Sequence, residues 1–183
     1  MKLDKTQTQA LAAFAALVLC VVGANWALQT YGIVSIGFGL TAPAGVYFAG
    51  LTFWLRDMLH DTGGTRFVLA AIALGSLISW AQSDAVAIPG GVTSIAVASG
   101  SAFAASELAD FAVYSPLRKR NRIAAIAASN TGGACLDSAL FLYLAFGSLD
   151  QITGQVVGKS YMTLLAVGIV GVVSRNRIST GTA

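Results

Sequence analysis

Apolar residues along this chain fall into six long runs separated by short polar or glycine-rich breaks. The runs cover Gln9–Gln29, Ala42–Leu59, Phe67–Gln82, Gly91–Ser115, Ile123–Phe146 and Gly154–Ser174. A membrane-crossing helix needs ~17–25 mostly apolar residues, and each run is near or within that range, the third being shortest. The breaks carry turn chemistry: Tyr31-Gly32, Asp61-Thr62-Gly63-Gly64, Pro89-Gly90-Gly91, Pro116 and Gly147-Ser148. Pro116 is expected to stop the fourth run. The pattern predicts an all-α integral membrane protein, a compact bundle of six transmembrane helices forming one domain over residues 1–183. It leaves no long linker, low-complexity tail or convincing internal repeat.

Composition supports the bilayer. Of 183 residues, 56% are hydrophobic and 10% charged, against roughly 25% charged in a soluble domain. Mean hydropathy is +0.73. The basic residues gather at the ends of the runs. With the N-terminus cytoplasmic, Lys2, Lys5, Arg56, Arg66, Arg118, Lys119, Arg120, Arg122, Arg175 and Arg177 all face inside, 10 of the 11 Lys and Arg residues. The outer loops hold Asp84 and Asp150. This positive-inside bias fits an even number of spans in the cytoplasmic membrane with both termini cytoplasmic. It also accounts for the pI of 9.1, so no nucleic-acid partner is expected. The first run lacks an evident cleavage site and is not read as a signal peptide. Cys20 and Cys135 lie within apolar runs and are expected to be small buried hydrophobes. His60 stands alone, without metal-ligand spacing.

Polar groups inside the runs carry the functional signal. An ionised carboxylate in hydrocarbon costs at least ~2.5 kcal/mol, so such residues usually face a bundle interior. Glu107 and Asp110 are three residues apart in the fourth run, one helical turn on a common face. Asn130 and Asp137, seven apart in the fifth, share a stripe. At 1.5 Å per residue an antiparallel hairpin puts Glu107 and Asn130 nearly level, with Asp137 roughly 10 Å further out. Interhelical hydrogen bonds that merely glue helices contribute ~0.6 kcal/mol, and Ser, Thr or Asn supply them more cheaply than three acids. A transport or binding role is the stronger expectation. Lys159 enters the sixth run with Gln155 four residues before it on the same face. It either snorkels to the headgroups or faces a polar cavity. Asp57, His60 and Asp61 share a face at the end of the second run, where a solvated cap competes with a site. Ala96, Gly100 and Ala104 in the fourth run, and Ala12 and Ala16 in the first, have the spacing of close helix contacts. Trp26, Tyr31, Trp80 and Tyr161 suit interface anchors. Enzyme motifs such as Gly-x-Ser-x-Gly, His-Glu-x-x-His or a phosphate-binding Gly-Lys-Ser/Thr are missing, so no enzymatic activity and no cofactor is expected.

From Asn25 to about Leu165 the chain resembles the queuosine precursor transporter family, also called the vitamin uptake transporter family. Three blocks carry the resemblance. The first is Thr41-Ala-Pro-Ala-Gly45 followed by Leu51-Thr-Phe-Trp-Leu-Arg-Asp57, with Asp61 and Gly64 beyond. The second is Ala105-Ser-Glu-Leu-Ala-Asp110 with Tyr114 and the basic turn. The third is Asp137-Ser-Ala-Leu-Phe141 with Phe146, then Lys159. Asp61 stands where the family commonly has glutamate, and Glu107 where many members have glutamine.

The resemblance implies a six-helix transporter similar to the substrate-binding subunits of energy-coupling-factor importers. Its substrate would be 7-cyano- or 7-aminomethyl-7-deazaguanine. A guanine-like edge offers N–H donors to a carboxylate and a carbonyl to a donor. The candidate substrate-binding residues are Glu107, Asp137, Asn130 and Lys159, with Asp110, Asn25, Gln155 and Asp57 in support. A separate energy-coupling ATPase module is an open partner, since the chain holds no nucleotide-binding domain of its own. Competing readings are a substrate-binding subunit for another vitamin-like heterocycle and a non-transporting helical partner of a membrane complex.

Overall fold

The computed structural model describes residues 4–82, 93–117, 122–162, 164, 165 and 168, with side chains apart from those at 79, 82, 107, 110–117 and 122–130. Helices dominate. α1 (Lys5–Tyr31) starts at Asp4, which forms a capping box with Gln7: its side chain accepts from the Lys5 N–H at 2.6 Å and its own N–H donates to Gln7 Oε1 at 3.2 Å. Ala10, Ala13, Leu17, Val21, Asn25 and Leu28 are buried, a helical stripe at three- and four-residue spacing. α1 ends where the Gly32 N–H reaches Leu28 O at 2.8 Å.

A β-hairpin follows, which the apolar runs do not foreshadow. β1 (Ile33–Gly37) pairs antiparallel with β2 (Leu40–Pro43), Ile33 opposite Pro43 and Val34 opposite Ala42, with an irregularity between Ser35 and Gly37. The turn takes positive φ at Gly37, Phe38 and Gly39. A two-residue hairpin turn needs this handedness to follow the twist of its strands. The second run is thereby corrected: residues 42 and 43 belong to β2, and α2 (Val46–Gly63) begins four residues later and runs four further. α3 (Thr65–Gln82), α4 (Ile95–Leu117) and α5 (Arg122–Phe146) match their runs within four residues at each end. α4 extends one residue beyond Pro116 rather than stopping there. α6 is helical from 152 to 162.

α4 and α5 form an antiparallel hairpin, tied at one end by the Thr93 N–H to Leu144 O at 3.1 Å. α1 packs on α2 and α3, and α3 joins α4. The main core gathers Ala13, Leu17, Leu55, Leu59, Val68, Ala71, Ile72 and Phe103 from α1 to α4. A smaller core joins Ile36 and Ala42 of the hairpin to Val46, with Val157 of α6 against it. Large apolar side chains also point outward: Leu11, Leu19, Trp26, Leu77, Trp80, Leu108, Tyr143 and Leu164 are each more than half exposed. Among the described residues α1 is the helix long and apolar enough to cross a membrane, while Thr65–Ile78, Ile95–Ser106 and Thr131–Phe146 are shorter apolar stretches. Cys20 is buried, but Cys135 is exposed on α5, which corrects the expectation that both are buried. A helix apolar all round carries no polar stripe to mark its outer side.

Candidate functional site

Close packing of α6 against α2 builds the site. A Cβ at Gly50 would come within 2.8 Å of Lys159 O and of Met162 Cβ. Such distances admit no side chain, so the two backbones touch beside Lys159. Gly45 plays the same part between α2 and α1, where a Cβ would lie 2.4 Å from Ala24 O. It thereby holds α1 in place next to Asn25.

Between these helices lies a cavity of about 500 Å³, counting its open mouth. α1 contributes Val21, Ala24, Asn25 and Leu28, and Pro43 and Gly45 follow from the connection. α2 adds Val46, Ala49 and Thr52; α4 adds Ser99 and Phe103; α5 adds Asp137 and Phe141; α6 adds Gln155 and Lys159. The walls are mainly apolar with a few polar groups, the usual make-up of a small-molecule site.

The charged centre is one ion pair. Lys159 Nζ donates to Asp137 Oδ2 at 2.5 Å and to Ser138 Oγ at 2.7 Å. Lys159 is 3% exposed and Asp137 7%. Of the two readings of Lys159, snorkelling is excluded here. The ammonium is turned inward, 5.8 Å from the centre of the Phe53 ring. Ser138 completes the arrangement by donating its own proton to Ala134 O at 2.7 Å, which leaves its oxygen free to accept from lysine. Burying two charges is costly unless pairing and hydrogen bonds compensate, and both are present. Phe53 stacks on Phe103 with centroids 6.3 Å apart. Phe141 meets Phe146 edge to face.

Of the residues singled out in the sequence, Asp137, Lys159, Asn25 and Gln155 come together in this lining. Gln155 and Lys159, four apart on α6, are both buried. The side chains of Glu107, Asp110 and Asn130 lie outside the described residues, and with them the level placement of Glu107 and Asn130. Asp57 is not in the cavity lining. Its carboxylate is half exposed and takes hydrogen bonds from Arg56 Nε at 2.9 Å and Nη2 at 2.8 Å. His60 and Asp61 are exposed on the same face, and His60 Nε2 meets Thr65 Oγ1 at 2.9 Å. Sequence reasoning missed Arg56, read as a solvated cytoplasmic charge and in fact buried over Phe53. It also missed Ser138 and the Phe53–Phe103 pair. The signal for Ser138 was its place next to Asp137. Among the described residues no group of three His, Cys, Asp or Glu side chains gathers that could hold a metal ion.

No curated protein and no solved structure matches the chain. The family model described as "Putative vitamin uptake transporter" matches residues 43–174, most of the chain and all of the cavity from Pro43 onward. Membership makes this a membrane protein of a transporter family, with which a small-molecule substrate is consistent. The match over residues 43–174 identifies the chain as a member of the vitamin uptake transporter family.

Proposed function

We propose that this protein imports a queuosine precursor, 7-cyano- or 7-aminomethyl-7-deazaguanine, across the cytoplasmic membrane. The observation that carries the reading is the cavity itself: one carboxylate and one ammonium beside two buried amides, within walls that include Phe103 and Phe141. A flat deazaguanine brings donors for Asp137, an acceptor for Lys159 or Asn25, and apolar faces for the walls. Glu107, Asp110 and Asn130 are further binding groups of the proposal. In it, six helices cross the bilayer with both termini in the cytoplasm, and the outward Leu, Trp and Tyr side chains meet lipid.

Growth or tRNA-modification rescue tests the reading, in cells that cannot make the precursor but are fed it. The wild-type chain restores queuosine, and Asp137→Ala or Glu107→Ala abolishes the rescue while the protein still inserts. Normal salvage by both variants would sink the assignment. Collapsing the proton gradient in the same cells shows whether import is proton-coupled; rescue that persists without it points to facilitated diffusion or a separate ATPase module.

A further inference from the structure

Two atoms in the cavity wall have hydrogen-bonding capacity and no partner among the described residues. Asn25 is 3% exposed and its Nδ2, a donor, is unpartnered. Gln155 is 2% exposed and its Oε1, an acceptor, is unpartnered. Both residues line the cavity, on α1 and α6. Nearby polar groups are already engaged: Lys159 with Asp137 and Ser138, Thr52 Oγ with Ala49 O at 2.7 Å. Leaving a buried polar atom unmatched costs about 1–3 kcal/mol. A wall holding one donor and one acceptor in that state complements a ligand carrying the opposite pair.

We infer that Asn25 and Gln155 read a lactam edge, in which the ligand's ring carbonyl accepts from Asn25 Nδ2 and its adjacent ring N–H donates to Gln155 Oε1. The inference deepens the importer reading and rests on the same cavity. It sets a ligand class: a flat cyclic amide whose lactam edge is uncharged. Lys159 and Asp137 cancel each other's charge, so the described lining asks for no charged ligand group. Its apolar walls suit a ring better than a flexible chain.

The consequence is a specificity that area alone does not give. A site built to hydrogen-bond a substrate group rejects the analogue lacking it by as much as ~10⁴–10⁵, whereas a missing methylene is worth only ~10–200-fold. Removing the lactam carbonyl and N–H together strands both amides at once.

The test is ligand binding to the purified full-length chain in detergent, with 7-deazaguanine and its 6-deoxy counterpart, 2-amino-7-deazapurine, as probes. The wild-type protein is expected to prefer the lactam by at least about 100-fold. Asn25→Leu and Gln155→Met, close in volume, should each narrow that preference about tenfold or more by weakening the lactam alone. A merely structural role would weaken both probes equally and would overturn the inference. Should either variant fail to fold, Asn25→Asp and Gln155→Glu keep the shape. Asn25→Asp, which replaces the donor with an oxygen, must lose the preference. Gln155→Glu keeps an acceptor and is expected to keep the preference. Lactam binding with unchanged preference in Asn25→Asp, Asn25→Leu or Gln155→Met overturns the inference and leaves the importer reading standing. A preference carried by Asn25 and Gln155 without cellular uptake of either precursor leaves the inference standing and overturns the importer reading. If neither 7-deazaguanine, guanine nor hypoxanthine binds the wild-type chain, the inference is overturned.

Discussion

Among the described residues, two ion pairs differ in kind. Arg56 and Asp57 are neighbours on α2, and the carboxylate is 52% exposed. Asp137 and Lys159 stand 22 residues apart on α5 and α6, and both are nearly sealed from solvent. Water screens the first carboxylate, so that pair owes little to its exposed member. The second bridges two helices and faces a cavity, where each charge depends on the other. Charge near a helix end therefore says little about role. What decides it is whether solvent or another helix supplies the partner.

The sharpest way to break this contrast is Lys159→Met. It strands Asp137 in the interior, and breaking a buried pair from one side costs ~3–5 kcal/mol. The expected outcome is a large drop in thermal midpoint in detergent together with loss of uptake. Asp137→Asn combined with Lys159→Met should restore much of the stability but not the uptake. Stability unchanged by Lys159→Met alone would remove the pair from the account. Gly50→Val comes next. It drives a side chain into the Lys159 backbone, and overpacking of this sort costs ~1–3 kcal/mol. Uptake should fall with stability, measured by the same melts, because α6 carries Lys159 and Gln155. Ser138→Ala removes one hydrogen bond to a charged group, ~1.5–3 kcal/mol at most, and should lower the thermal midpoint less than Lys159→Met. Asp57→Asn should do least, within ~1 kcal/mol and with uptake retained. Loss of transport in that variant would move the Arg56 end of α2 into the mechanism.

Much of the helical order was readable, because long apolar runs bounded by glycine and proline leave few alternatives. The hairpin was not. Its strands span only Ile33–Gly37 and Leu40–Pro43, with glycine at two of the turn positions, 37 and 39, and alternation too brief to stand out beside runs of twenty. Helix faces were hard to read for another reason: in an apolar helix the inner and outer residues look the same, so Cys135 passed for core. Within the site, spacing placed Gln155 beside Lys159, since four residues on a helix need no tertiary knowledge. That Lys159 would meet Asp137, and that Arg56 would turn inward over Phe53, depends on how α2, α5 and α6 approach. Gly50 sets the α2–α6 part of that approach, and nothing in its local sequence names the partner backbone.

The hairpin also acts as a depth gauge. A ribbon of two strands satisfies only one edge of each, and the outer edges still need partners. Hydrocarbon offers none, so such a ribbon belongs at the waterline or against protein. Its second strand ends at Pro43, which is part of the cavity wall. Placed at the waterline, the ribbon ties one end of the cavity to the aqueous boundary. In the proposed topology α1 leaves the cytoplasm and delivers the chain to the far face, so that boundary is the outer one. On that topology the hairpin end of the cavity is the end nearest the outer face.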